Sequence, residues 1–236
     1  MTVCPKTTDL AAVRAALPKR PKDANKATFG RVLLICGSDN MRGCAALAAL
    51  GALRTGAGLV TLAGTRAVID TVSSAVFEAT YLDRAKDDIF AAAAKANAVG
   101  YGCGLGRGTD VAEMLTRLLA SPGAPLVIDA DGLNALAADP DILKSAARPV
   151  VLTPHPLEFS RLCGRTVADI QADRAAVAAA FAKTYFNPAV GGVLLLKGAG
   201  TVITDGKTVL INPTGSTALS KGGTGDTLCG KLCAFL

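Results

Sequence analysis

Short apolar runs recur along the chain, at Val32–Ile35, Leu59–Leu62, Ala98–Tyr101, Leu126–Ile128, Val150–Leu152, Val193–Leu196, Thr201–Thr204 and Val209–Ile211. Stretches of helical character separate many of them, at Gly43–Arg54, Ala67–Ser74, Ile89–Ala96, Asp110–Ala120, Leu133–Ala138, Glu158–Cys163 and Val167–Tyr185, and a last apolar helix is expected at Thr227–Phe235. A strand that is apolar at successive positions has no face to give to water, so it must be covered on both sides. Such strands alternating with helices predict an α/β fold: a largely parallel central sheet with helices on both faces. The last two strands are separated only by Asp205-Gly206-Lys207, a hairpin-type turn, which predicts an antiparallel edge pair near the C-terminus. Open α/β sheets bind ligands beyond the carboxyl ends of their strands. Polar or glycine-rich clusters fall there at Gly37–Asn40, Gly102–Gly106, Asp129–Asp131, Thr153–Pro156 and Lys197–Gly198, and these loops are expected to line one cleft.

With 236 residues, 50% of them hydrophobic, the chain can bury one sizeable core and reads as a single domain. The net charge of +6 is spread out, with a mild concentration at Lys19-Arg20-Pro21-Lys22 and Lys26, and there is no Trp. A nucleic-acid binder carries a basic stripe interleaved with stacking residues, so no nucleic-acid partner is expected; the charge reads as solubility and a pull on small anions. The seven cysteines, Cys4, Cys36, Cys44, Cys103, Cys163, Cys229 and Cys233, form no C-x-x-C, and a single His leaves no thiolate and imidazole set for zinc. Most read as small buried hydrophobes in a reducing compartment. Met1–Leu17 lack a basic segment followed by an apolar core, and no apolar run reaches the length of a membrane span. A cytoplasmic protein without a membrane partner is expected.

The candidate chemistry is concentrated in Ser220–Asp226, which opens the last helix. Glycines let a backbone approach a phosphate, and the first amides of a helix point at it. Asp226 is then placed where a carboxylate takes a proton from a substrate hydroxyl, with the helix N-terminus favouring its ionised form; the local sequence fits a plain N-cap equally well. Gly102-Cys103-Gly104-Leu105-Gly106 does not meet the G-x-G-x-x-G spacing and reads as a substrate-lining turn or a mere tight turn. Asp129 and Asp131 end a strand with Asn134 just inside the next helix; such carboxylates hold Mg²⁺ through waters, or Asp131 caps the helix. His155, the only histidine, is clamped between Pro154 and Pro156, as a ligand contact or a structural group, and Glu158 either caps a helix or positions a metal-bound water. Lys197-Gly198-Ala199-Gly200-Thr201 suits backbone contacts to an adenosine phosphate, or a β-turn alone.

Together these motifs resemble the ADP/ATP-dependent NAD(P)H-hydrate dehydratases of the ribokinase-like superfamily. The resemblance is carried by Gly43–Ala45 through Ala52–Val60, Asp129–Leu136, Thr153–Phe159, Lys197–Thr201 and Gly222–Asp226, which stand in family order over roughly residues 25 to 236. It implies a ribokinase-like domain over 26–236, preceded by an N-terminal extension with a helix over 1–25. It also implies a hydro-lyase of metabolite repair: ADP or ATP, with Mg²⁺, phosphorylates the hydroxyl of the S form of hydrated NADH or NADPH, and elimination restores NADH or NADPH. Asp226 is then the base. Carried over by position, the substrate contacts are Cys44, Gly104, Gly106, His155 and Asp226. The nucleotide contacts are Lys197, Gly198, Ala199, Gly200 and Thr201, with Ser216, Thr217, Ala218, Leu219, Ser220, Lys221, Gly222, Gly223, Thr224 and Gly225. Asp131 and Glu158 are the candidates for Mg²⁺ through water. A homo-oligomer is expected, and since the epimerase domain fused to many relatives is lacking, epimerisation falls to a separate protein.

Three features depart from the family. Cys44 stands where Ala is common, Ser216-Thr217 replace an Asn-containing turn, and the chain stops at Leu236, about two turns into the helix that Asp226 opens. The expectation is a domain truncated at its C-terminus, with apolar surface exposed. Two rival readings share the glycine-Asp centre: a small-molecule hydroxyl kinase of the thiamine-precursor type, and a catalytically inactive nucleotide-binding protein.

Overall fold

A computed structural model describes residues 4–236, so the first three residues of the expected N-terminal extension lie outside the described residues. The strands are β1 (Lys6–Thr7), β2 (Arg31–Ile35), β3 (Leu59–Gly64), β4 (Thr80–Asp83), β5 (Ala98–Tyr101), β6 (Leu126–Ile128), β7 (Val150–Leu152), β8 (Gly192–Leu196), β9 (Thr201–Thr204) and β10 (Val209–Asn212). The helices are α1 (Leu10–Ala16), α2 (Gly43–Thr55), α3 (Arg66–Val72), α4 (Ile89–Lys95), α5 (Thr109–Ala120), α6 (Asp131–Leu136), α7 (Pro156–Cys163), α8 (Val167–Ala172), α9 (Arg174–Tyr185) and α10 (Thr224–Phe235). Among the described residues all ten strands form one sheet in the order β1-β10-β9-β8-β7-β6-β5-β2-β3-β4. It is parallel from β8 through β4, while β9 runs antiparallel to both β8 and β10.

Side chains alternate across a strand, and β2 shows what that does to the core. Leu33 and Ile35 join one apolar cluster with α4, α5, α7 and α9; Val32 and Leu34 join a second with α2, α3 and α10. The sheet is therefore covered on both faces, as its uniformly apolar strands require.

The expected antiparallel pair is present as β9 and β10, but it is not the edge. β1 adds to β10 in parallel, Lys6 opposite Leu210, so a strand precedes the one expected to be first. Two exposed polar residues carry no strand signal; only their pairing defines the strand. β4 was also not expected, because an edge strand with one exposed and three half-buried residues lacks the apolar run of a central one. The helix expected over 167–185 is two helices. Asp173, at φ −149 and ψ 77, breaks the rise, and its carboxylate accepts the Ala176 N–H at 3.0 Å to cap α9.

α10 packs on α2 through two glycines. A Cβ on Gly230 would overlap the Ala48 carbonyl, and one on Gly51 would run into the Thr227 carbonyl. Backbones can approach this closely only where no side chain intervenes. The sulfurs of Cys229 and Cys233 then rest against Gly100 of β5, seating the start of α10 over the ends of the central strands.

Candidate active site

The sheet's chain order reverses at β2, which has β3 on one side and β5 on the other. Loops leaving such a switch point diverge and open a crevice. The loops after β8, β7, β6, β5 and β2 leave five neighbouring parallel strands on one edge, so the five expected clusters do share it. Gly37 N–H donates to the Cys103 carbonyl at 2.8 Å and joins two of them. A cleft of about 510 Å³ opens here, lined among others by Cys44, Gly104, Asp131, Glu158, Gly223 and Asp226. A second groove of about 340 Å³, between α4 and strands β2 to β4, lies away from these loops.

Asp226 is not the N-cap that its local sequence allowed. Gly223, at φ +87, occupies the cap position, the helix begins at Thr224, and Asp226 is its third residue. Its carboxylate faces the cleft half-buried. Burial raises its pKa from the ordinary aspartate value and the nearby Asp129 charge adds to that, while a hydrogen bond from Cys103 and the charge of Lys197 act the other way. The expected pull of the helix N-terminus toward the ionised form is thus outweighed by desolvation. Gly222 has open space where a side chain would be, and Gly223 beside it lines the cleft.

Asp131 is not a cap either. Ala130 holds the cap position of α6 without a side-chain bond, at φ 49 and ψ −116, a strained conformation for a residue with a Cβ. The Asp131 carboxylate instead accepts the Gly106 N–H at 2.9 Å and the Asn134 amide at 3.3 Å, pinning the turn after β5 to α6. Asn134 is held in turn by Arg161 at 2.9 Å.

His155 and Glu158 form a reciprocal cap on α7. His155 Nδ1 accepts from Leu157 and Glu158 N–H, both at 3.2 Å, and Glu158 Oε2 accepts His155 N–H at 2.8 Å. The capping alternative for Glu158 is therefore realised, and its other oxygen lies 3.4 Å from His155 Nε2. His155 is half-exposed at the start of α7 and is not among the residues that line the cleft.

Lys197 reaches across the strand ends. Its ammonium donates to Asp129 Oδ1 at 2.8 Å and lies 3.8 Å from Glu158 Oε2. Burial works against its charge, but Asp129 and Glu158 prevail and its pKa is raised. A Cβ on Gly225 would sit 3.5 Å from this ammonium and 3.3 Å from Asp129 Oδ2, so the pair underlies the glycine turn. Sequence reasoning placed Lys197 only against a nucleotide and Asp129 only beside Asp131. Nothing in a sequence links two residues 68 positions apart.

Cys44, expected as a substrate contact, lines the cleft with its thiol turned to the backbone: Sγ is 2.9 Å from the Met41 carbonyl and 3.2 Å from that of Cys103. Burial pushes its pKa up to about 12, so it is a neutral thiol at physiological pH. Ser216–Lys221 form an exposed stretch containing a short 3-10 turn at Thr217–Leu219, on the approach to the glycine turn. Among the described residues no group of three or more His, Cys, Asp or Glu is arranged to hold a metal ion, and no helix is long and apolar enough to cross a membrane.

Residues 32–236 match the family model of the NAD(P)H-hydrate dehydratases. The ADP-dependent (S)-NAD(P)H-hydrate dehydratase of Bacillus subtilis is 39% identical over 232 residues, covering 95% of this chain and 78% of that protein. The bifunctional NAD(P)H-hydrate repair enzyme Nnr of Moorella thermoacetica is 42% identical over 235 residues, covering 94% of this chain but only 43% of that protein. The crystal structure of the ADP/ATP-dependent NAD(P)H-hydrate dehydratase from Bacillus subtilis, co-crystallized with ATP/Mg²⁺, superposes with a TM-score of 0.83 at 34% identity, over 99% of this chain and 82% of that one.

Proposed function

This chain belongs to the NAD(P)H-hydrate dehydratase family, and we propose that it dehydrates the S form of hydrated NADH and NADPH at the expense of ADP or ATP. The observation that carries the reading is the position of Asp226. It is a half-buried carboxylate in the first turn of α10, beside a bare glycine turn and facing a cleft large enough for part of a dinucleotide. The substrate hydroxyl gives its proton to Asp226 as its oxygen attacks the terminal phosphorus of the nucleotide, and the phosphoanhydride bond breaks to release AMP from ADP or ADP from ATP. Phosphate then departs with the carbon–oxygen bonding pair, a neighbouring carbon loses a proton, and the dihydropyridine double bond is restored. Charge passing through the phosphoryl group is met by backbone N–H groups at the start of α10 and by the Lys197 ammonium beneath it.

Substrate is assigned to Cys44, Gly104, Gly106, His155 and Asp226, and nucleotide to Lys197–Thr201 and Ser216–Gly225. For Cys44 the support is its place in the cleft wall, with the thiol holding two turns together. Mg²⁺ commonly keeps several waters and takes one or two carboxylates plus phosphate oxygens, and that fits a cleft lined by Asp131 and Glu158, whose oxygens already hold protein donors. Bound there through water, it would neutralise charge on the phosphates. Self-association is expected, which sedimentation would check.

The decisive assay supplies the S hydrate, Mg²⁺ and ADP or ATP, and follows the return of dihydropyridine absorbance. Nucleotide-dependent recovery is expected. A stable phosphoester on a vitamin precursor, with no recovery from the hydrate, would move the chain to the kinases.

A further inference from the structure

The guanidinium of Arg174 is unused by the chemistry above, yet it is one of the most engaged cations in the molecule. It stands on the first residue of α9, and its Nη2 donates to the carbonyls of Leu196 at 2.9 Å and Lys197 at 3.1 Å, while Nη1 donates to Gln171 Oε1 at 3.0 Å. Those two carbonyls are the last of β8 and the first of the turn toward β9. Gly198, at φ +141, is pressed against the same group: a Cβ there would lie 3.1 Å from Nη2 and 3.2 Å from Nη1. Among the described residues no carboxylate forms an ion pair with Arg174, and its Nε is buried without a hydrogen-bond partner. A half-buried guanidinium with no counter-anion and an orphaned donor is expensive to keep.

The turn it holds explains what is obtained in return. With Leu196 and Lys197 carbonyls drawn back onto the guanidinium, and the Gly198 carbonyl accepting the Thr201 hydroxyl at 2.9 Å, the turn has three of its acceptors occupied from within the protein. Its donors are not. Lys197 N–H goes to the Pro154 carbonyl at 2.9 Å, but the N–H groups of Gly198, Ala199 and Gly200 donate to no protein acceptor among the described residues. Successive free N–H groups backed by a positive charge make an anion-binding concavity.

We propose that Arg174 is the positioning residue of the nucleotide site. It draws back the carbonyls of Leu196 and Lys197, so that the N–H groups of Gly198–Gly200 receive a phosphate of the nucleotide, and it supplies the positive charge behind them. The inference rests on the assignment of this turn to ADP or ATP made above. It needs no contact between Arg174 and the substrate hydrate.

The test uses the full chain with Arg174→Met and Arg174→Lys. Nucleotide affinity is measured by calorimetry, the KM for hydrate at saturating nucleotide, and exchange of the 198–200 amides with and without ADP. In Arg174→Met the nucleotide Kd rises about tenfold or more, the loss expected for bonds to a charged group. The hydrate KM stays within about twofold, and ADP no longer protects the turn. Arg174→Lys keeps the charge without the planar fork and recovers part of the affinity. An unchanged Kd with protection retained overturns the proposal. So does a parallel loss of nucleotide affinity, hydrate affinity and melting temperature in both variants, the mark of a purely structural role. A wild-type chain that binds neither ADP nor ATP overturns the underlying assignment instead, and is seen before any variant is made.

Discussion

Asp226 joins two demands that oppose each other, for a base must be free to ionise in a place that burial makes unfavourable for charge. Replacing it by Asn keeps the shape and removes the proton acceptor, so turnover should fall about 10²–10⁴-fold while ADP affinity, measured by calorimetry, is unchanged. The stability effect has the opposite sign. A carboxyl whose pKa is raised on folding costs nothing below its unfolded pKa, and its full cost is present above its folded one. Asp226→Asn should therefore melt higher than wild type at neutral pH, and the difference should vanish as the pH falls below the ordinary aspartate range. The same burial argument ranks the thiols. Cys44 is held near pKa 12 and Cys36, Cys103 and Cys229 are buried with raised values, whereas Cys4 is exposed. Alkylation at neutral pH followed by peptide mass spectrometry should mark Cys4 well before these four. That a glycine turn precedes Asp226 at the opening of the last helix was legible in the sequence; that Asp226 is not a cap was not, because Gly223 takes the cap position through a backbone angle no sequence displays.

At the level of elements, the contact between α2 and α10 decides where Asp226 stands. Gly51 and Gly230 let the two helices touch backbone to backbone. In a sequence, a glycine inside a helix reads only as a weakness. Here Gly230→Ala would wedge the helices apart and should cost about 1–3 kcal/mol in denaturant unfolding, with activity falling further than stability because the start of α10 moves. The strands of the sheet's centre were plain from their apolar runs, while β1 and β4 were not, since edges carry little core signal. The division of 167–185 into α8 and α9 was signalled by Asp173, a good cap residue lying inside a helical pattern.

On the scale of the whole molecule, the site is a property of the sheet: five neighbouring parallel strands deliver their loops to one edge, next to the switch in strand order. A ligand that binds only this folded arrangement must stabilise it. At 100 times its Kd, ADP should add about 2.7 kcal/mol, which for a chain of this size is roughly 5–10 °C in melting temperature. No shift at saturating ADP or ATP would contradict the nucleotide reading. The pattern of apolar runs and turn residues was enough by itself to determine the α/β class and the central strands, because burial and turn geometry act on neighbours in sequence, and the family was legible through the resemblance of five motifs standing in order. Only the tertiary structure decided that Lys197 pairs with Asp129, that Asp131 ties down Gly106 rather than capping its helix, and that Arg174 holds the turn after β8. These are contacts between distant positions, set by how the strands are ordered in space.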